Sequence, residues 1–159
     1  MATGTPATVA LTKAGIAFAV HEYHHDPAAP SFGLEAAAAL GVEPDRVFKT
    51  LLAEVEGVGL AVGVVPVTGG LDLKALASRL GGKRATMAPP ALAERRTGYV
   101  VGGISPIGQK SALPTVIDET AELWDTVFVS GGRRGLDLEL APADLAALTS
   151  ATFGDISRA

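Results

Sequence analysis

The chain has 159 residues, a net charge of −4 and no cysteine, and its hydrophobic fraction of 48% includes only 5% aromatic residues. Without cysteine there can be no disulfide, thiolate metal site or cysteine nucleophile, which fits a reducing compartment. No apolar run approaches the roughly 18 residues of a membrane helix, and Met1-Ala2-Thr3-Gly4 lacks the charged and apolar regions of a signal peptide, so one soluble cytoplasmic domain is expected.

Thr5 followed by Pro6 predicts an N-cap with proline in the first turn, opening a helix that Gly15 ends. Residues 16–23 read as a strand and 24–31 as a proline-broken loop. A helix is expected over 33–40, stopped by Gly41. Residues 47–54 and 60–67 are two apolar strands separated by Glu56-Gly57-Val58-Gly59, short enough for an antiparallel hairpin. Leu73, Leu76 and Leu80 carry helical spacing over 72–80, ending at Gly81-Gly82. Pro90 starts a short helix to residue 96. Strands are then expected over 99–104, 115–117, 127–130 and 136–140, with a last helix from near Pro142. Hairpins alternating with helices predict a compact α+β domain with a mixed sheet, without repeat, low-complexity tract or second-domain linker.

Alternation in the strand from Val47 puts Lys49 on one face and Thr50 on the other, in surroundings otherwise apolar. A lysine there either snorkels at the sheet margin or lines a cleft that uses its charge. Gly102-Gly103 either forms a strand bulge or packing contact, or lets a substrate reach bare backbone N–H groups. Three other motifs fall short. His21-Glu22-Tyr23-His24-His25 matches H-E-x-x-H, but a strand precedes it and Pro27 follows, so no helix aligns two zinc ligands. Gly103 to Ser111 has one residue too many before the lysine for a phosphate loop. Gly103-Ile104-Ser105-Pro106-Ile107 lacks the last glycine of G-x-S-x-G.

Charge is unevenly distributed. Residues 83–134 carry a local balance of +2 while the remainder sums to −6. Lys83-Arg84, Arg95-Arg96 and Arg133-Arg134 are basic doublets in the half that holds the glycine pair, and Lys110 lies between them. They form a phosphate-facing surface if the fold gathers them, and otherwise are solvated charges on scattered turns.

Thr97 to Lys110, Val47-Phe48-Lys49-Thr50-Leu51-Leu52, His24-His25-Asp26-Pro27, Leu71-Asp72-Leu73-Lys74, Pro114-Thr115-Val116-Ile117-Asp118 and Ser130 to Leu136 together resemble the YbaK family of aminoacyl-tRNA deacylases, nearly end to end. The resemblance implies a curved, partly barrel-like sheet flanked by helices, and no metal or other cofactor. It implies that Lys49 is essential and holds the terminal adenosine or a phosphate, with Thr50 beside it. The Gly102 and Gly103 amides would bind the ester carbonyl or ribose hydroxyls, and Ser105-Pro106 would shape the turn below. Ser130 and Asp137 match polar positions linked with the family's active site, although both also suit plain turn roles. Tyr23 would pack on adenine or amino acid, or be an ordinary half-buried tyrosine. Lys83, Arg84, Lys110, Arg133 and Arg134 are the candidate tRNA phosphate contacts. The implied activity is trans-editing of mischarged Cys-tRNA(Pro), by the substrate's thiol or a water, in association with prolyl-tRNA synthetase. Ala-tRNA(Pro) as substrate and a noncatalytic binding module are the alternatives. The chain departs from the family pattern at Ser111, where a second lysine is common, and at Pro89, where Asp is frequent.

Overall fold

The computed structural model describes residues 4–159. Helix α1, Pro6–Ala14, begins as the sequence predicts: the Thr5 hydroxyl accepts from the Thr8 N–H, Pro6 occupies the first turn, and Gly15 closes the helix at φ +70°. Strand β1, Ala19–Glu22, is followed by α2, Phe32–Leu40, capped by Ser31 and by Gly41 at φ +67°. Strands β2, Phe48–Val55, and β3, Gly59–Pro66, form the expected antiparallel hairpin. After the two-residue β4, Gly70–Leu71, come α3, Leu73–Arg79, with Asp72 as N-cap, β5, Ala85–Met87, and α4, Pro90–Thr97. The chain continues through β6, Thr115–Asp118, β7, Val127–Arg133, β8, Leu136–Leu140, α5, Pro142–Thr149, β9, Thr152–Gly154, and β10, Ser157–Arg158.

Two sheets matter for the site. One has the order β5-β2-β3-β6-β9, antiparallel as far as β3 and parallel from β3 to β9, so the sheet is mixed. The other is the antiparallel β1-β8-β7. They meet where Val47, just before β2, bridges to Phe128 of β7. The sheets therefore curve toward each other at this seam without closing into a barrel.

Side-chain alternation in β3 divides the interior. Val62 and Val64 face a large core with Leu11, Phe48, Ile117, Val129, Leu138 and Leu145, enclosed between the two sheets and α1 and α5. Ala61 and Val65 face the other way, into a second cluster with Leu76 and Ala77 of α3 and Ile156. Each fully buried leucine stabilises by about 2 kcal/mol. The buried Asp118 carboxylate accepts the Ile156 and Ser157 N–H groups at 3.0 Å each, tying the C-terminal segment across the end of β6. Among the described residues no helix is long and apolar enough to cross a membrane.

The strand expected over 99–104 is absent. Gly98 ends α4 at φ +80°, and Gly102 and Gly108 also sit at positive φ, which is incompatible with a pleated run. The segment from 98 to 114 is instead an ordered loop. Tyr99, buried, donates its hydroxyl to the Ile107 carbonyl at 2.7 Å, and the Ser105 hydroxyl accepts from the Ile107 N–H at 3.2 Å.

Candidate active site

The site begins at the edge of β2. Val67 N–H bonds to the Val47 carbonyl, so odd-numbered residues of β2 direct their main chain at β3 and even-numbered ones direct theirs away from it. On that far side β5 pairs only with residues 53–55, and Ala88 N–H adds one more bond, to the Leu52 carbonyl. Pro89 and Pro90 follow and lack the N–H that would continue the ladder. The pairing stops, and a cavity of about 330 Å³ occupies the gap. Tyr23, Lys49, Thr50, Gly102, Ser130 and Asp137 line it, with Arg133 at one side and an apolar wall that includes Phe32, Leu51, Val67 and Met87. Lys49 and Thr50 lie on opposite faces of β2 yet share the cavity, because it wraps around a free strand edge.

The polar groups of this cavity are short of partners. Asp137, in β8 opposite Ser130, is 6% exposed, and burial pushes its carboxyl up to about 7. The carboxylate makes no hydrogen bond or ion pair among the described residues. Burial likewise lowers the Lys49 ammonium below the usual lysine range, and Lys49 makes no ion pair either. The Thr50 hydroxyl is buried without a hydrogen-bond partner among the described residues. Tyr23 is pushed up to about 12, by burial first and by the neighbouring Asp137 second. An unmatched cation, carboxyl and hydroxyl around one cavity are suited to a ligand that carries their complements.

Six of the eight residues expected at the centre are therefore gathered, and two are not. Gly103 is buried outside the cavity lining and its N–H donates to the Val100 carbonyl at 2.9 Å, inside a turn. A Cβ there would come within 2.8 Å of the Arg133 Cα, so the residue is a glycine because two backbones touch. Ser105 is fully buried, also outside the lining, with its hydroxyl held by Ile107 N–H. Gly102 does line the cavity, at φ +90°, and its N–H has no acceptor among the described residues. Ser130 keeps its place while its hydroxyl accepts the Gly132 N–H at 3.2 Å, across the bulge between Ser130 and Arg133. Phe32 carries no signal in the sequence beyond its place after the α2 N-cap.

The sequence profile of the aminoacyl-tRNA editing domain matches residues 26–148, and this span contains every cavity residue just described except Tyr23. The chain belongs to the aminoacyl-tRNA editing domain family. As a member it is an aminoacyl-tRNA deacylase, a hydrolase of the ester between amino acid and tRNA. The chain is 41% identical over 121 residues to EbsC of Enterococcus faecalis, named for Cys-tRNA(Pro)/Cys-tRNA(Cys) deacylation, covering 76% of this chain and 74% of that one. It is 33% identical over 100 residues to the multifunctional Ser/Thr-tRNA deacylase ProXp-y of Escherichia coli, covering 60% of each. A crystal structure described as a trans-editing enzyme for prolyl-tRNA synthetase superposes with a TM-score of 0.86 at 28% identity, over 100% of this chain and 99% of that one.

The basic residues of the editing domain do not form one free surface. Arg84 pairs with Glu56 at 3.3 Å, and Arg133 with Glu22 at 2.8 Å. The Arg134 guanidinium lies 4.6 Å over the Phe32 ring and donates to the Val101 carbonyl. Lys83 and Lys110 are exposed and make no ion pair among the described residues, as does Arg95 of α4. Lys110 N–H bonds to the Thr97 carbonyl and Ser111 N–H to that of Arg96, which brings Lys110 beside the end of α4, whereas Lys83 lies on the turn before β5. Among the described residues no group of three His, Asp or Glu side chains is placed to hold a metal ion.

Proposed function

We propose that this editing domain clears mischarged cysteinyl-tRNA(Pro), and that its cavity receives the aminoacylated terminal adenosine. The observation that carries the reading is the convergence of Lys49, Thr50, Asp137 and Gly102 on one cavity, each with unmatched charge or hydrogen-bonding capacity. An aminoacyl-adenosine has the complements: an α-ammonium for the Asp137 carboxylate, ribose hydroxyls for Thr50, and an ester oxygen for the Gly102 N–H. Lys49 then sits where charge develops on the oxygens of the scissile ester.

In this scheme the chain contributes position and electrostatics and the substrate contributes the nucleophile. The cysteine sulfur, having lost its proton to solvent, attacks the ester carbonyl carbon. The bond from that carbon to the ribose oxygen breaks, and the oxygen leaves with its electron pair and takes a proton. The acyl group departs as a cyclic thioester that water opens to cysteine. The 41% identity to EbsC favours cysteine, while the more distant likeness to ProXp-y favours serine or threonine as the second reading.

Rates on Cys-, Ser-, Thr-, Ala- and Pro-tRNA(Pro), with 2-aminobutyryl-tRNA(Pro) as the isostere whose methyl replaces the thiol, test the scheme. Cysteine is expected to be released at least about 100-fold faster than 2-aminobutyrate, because the isostere lacks the attacking group. Equal rates would mean that water attacks and the thiol is incidental. Selection of tRNA(Pro) is expected to require prolyl-tRNA synthetase, since one small domain has little surface with which to read an anticodon. Full discrimination among cysteinyl-tRNAs by the purified chain would overturn that part.

A further inference from the structure

The sequence offers Arg134 as a phosphate contact, but its surroundings give it a different task. Its Nε lies 3.1 Å from the Val101 carbonyl oxygen, and Nη2 donates to the same oxygen. Its guanidinium is stacked over Phe32, which is itself met edge-on by the His25 ring at 5.3 Å. His25 in turn is held through Nδ1 by Glu35 of α2 at 2.8 Å. The Val101 N–H is bound as well, by the Glu94 carboxylate at 2.9 Å. Val101 is thus fixed at both its N–H and its carbonyl.

We infer that Arg134 is the positioning residue for the Gly102 amide. The Val101 carbonyl and the Gly102 N–H belong to one trans peptide unit, in which the two groups point in opposite directions. Holding the carbonyl oxygen therefore sets the direction of the N–H. A cation on the carbonyl also polarises the peptide and makes its N–H a stronger donor. The identity of residue 102 agrees with this, because a Cβ there would lie 2.5 Å from the Arg134 Nε and 2.8 Å from two Phe32 ring carbons. Glycine at 102 is what allows the guanidinium to reach Val101. The inference rests on reading the cavity as the ester site.

The test uses Arg134→Ala and Arg134→Lys on two substrates, cysteinyl-tRNA(Pro) and 3′-O-cysteinyl-adenosine, which carries no phosphate. A positioning role predicts that kcat falls about 10- to 100-fold on both substrates, as misplacement of a catalytic donor does, with KM little changed. Lysine should fail to restore it, since an ammonium cannot both stack on Phe32 and place two donors on one oxygen. Millimolar guanidinium should recover part of the kcat of Arg134→Ala. A defect confined to the tRNA substrate, expressed in KM and accompanied by a shallower salt dependence, would make Arg134 a phosphate contact and overturn the inference, as would no defect at all. The Gly102 amide resonance decides the matter independently of turnover. In Arg134→Ala it should shift and its order parameter should fall, and an unchanged Gly102 amide would also overturn the inference. If the wild-type chain hydrolyses neither ester, it is the reading of the cavity that fails, while the amide measurement still answers for Arg134.

Discussion

Asp137 places an acid in an environment that disfavours its charge. Burial raises its carboxyl from 3.8 to about 7, so the folded chain holds this proton more tightly than the unfolded chain does. Unfolding between pH 4 and 7 therefore releases a proton, and stability falls as pH rises through that window and is flat above it. The full cost is on the order of 4 kcal/mol. Asp137→Asn removes it: urea titrations should show the variant gaining stability relative to wild type from pH 4 to pH 7.5, and a constant difference over that range would contradict the assignment. The same substitution should impair turnover, because the proposed α-ammonium contact is lost with the charge. Lys49 presents the same conflict with the opposite sign of charge. Burial disfavours its ammonium, no carboxylate among the described residues pairs with it, and Lys49→Met should keep or slightly raise Tm while lowering kcat about 10²- to 10³-fold. Unfolding of Lys49→Met at markedly lower temperature would show that the lysine is held for structure.

Elements whose signals are local were legible in the sequence. The Thr5-Pro6 start and Gly15 end of α1, the leucine spacing of α3 and the β2–β3 hairpin depend on contacts within a few residues. What depends on distant partners was not. Strand β5 exists because Ala85–Met87 finds the outer edge of β2, and β9 because it lies parallel to β6. The apolar run at 99–104 looked like a strand, but glycines at positive φ on either side of it turn it into the loop that carries Gly102. The glycine pair was legible as a place of close approach, and only packing distinguishes Gly103, which touches the Arg133 backbone, from Gly102, which faces the cavity. Helix α2 shows such packing deciding the sign of a substitution. Gly33 is helical, and alanine would ordinarily add about 1 kcal/mol there. Its Cβ, however, would lie 2.2 Å from Val67 Cγ1 and 2.7 Å from Val67 Cβ, a stiff branched side chain in the cavity wall. Gly33→Ala should cost about 1–3 kcal/mol as overpacking does and move Phe32, and adding Val67→Ala should recover most of the loss in urea midpoint. A stabilised single variant would show that α2 shifts without cost.

At the scale of the whole molecule, the cavity lies at the seam where two sheets are linked by the single Val47–Phe128 bridge, between a large shared core and the ladder end at Pro89-Pro90. Such a seam can keep main-chain and side-chain polar groups exposed to a ligand while both sheets stay rigid. The charge distribution then limits how tRNA is held. The net charge is −4, and of the basic residues between 83 and 134, Arg84 and Arg133 are in ion pairs and Arg134 is on the Val101 carbonyl. Lys83, Arg95 and Lys110 are exposed and make no ion pair among the described residues, and the exposed Arg96 donates to the Ser111 hydroxyl at 3.3 Å. Two or three phosphate contacts give a slope of log K against log salt of about −2 to −3. Binding of a non-hydrolysable aminoacyl-tRNA analogue, followed by fluorescence anisotropy from 50 to 300 mM salt, should give a slope in that range, and Lys110→Ala should make it shallower by about 0.9. A slope steeper than about −5 would require basic side chains to leave their present partners when tRNA binds. Retention of the wild-type slope in Lys110→Ala would remove the end of α4 from the tRNA path.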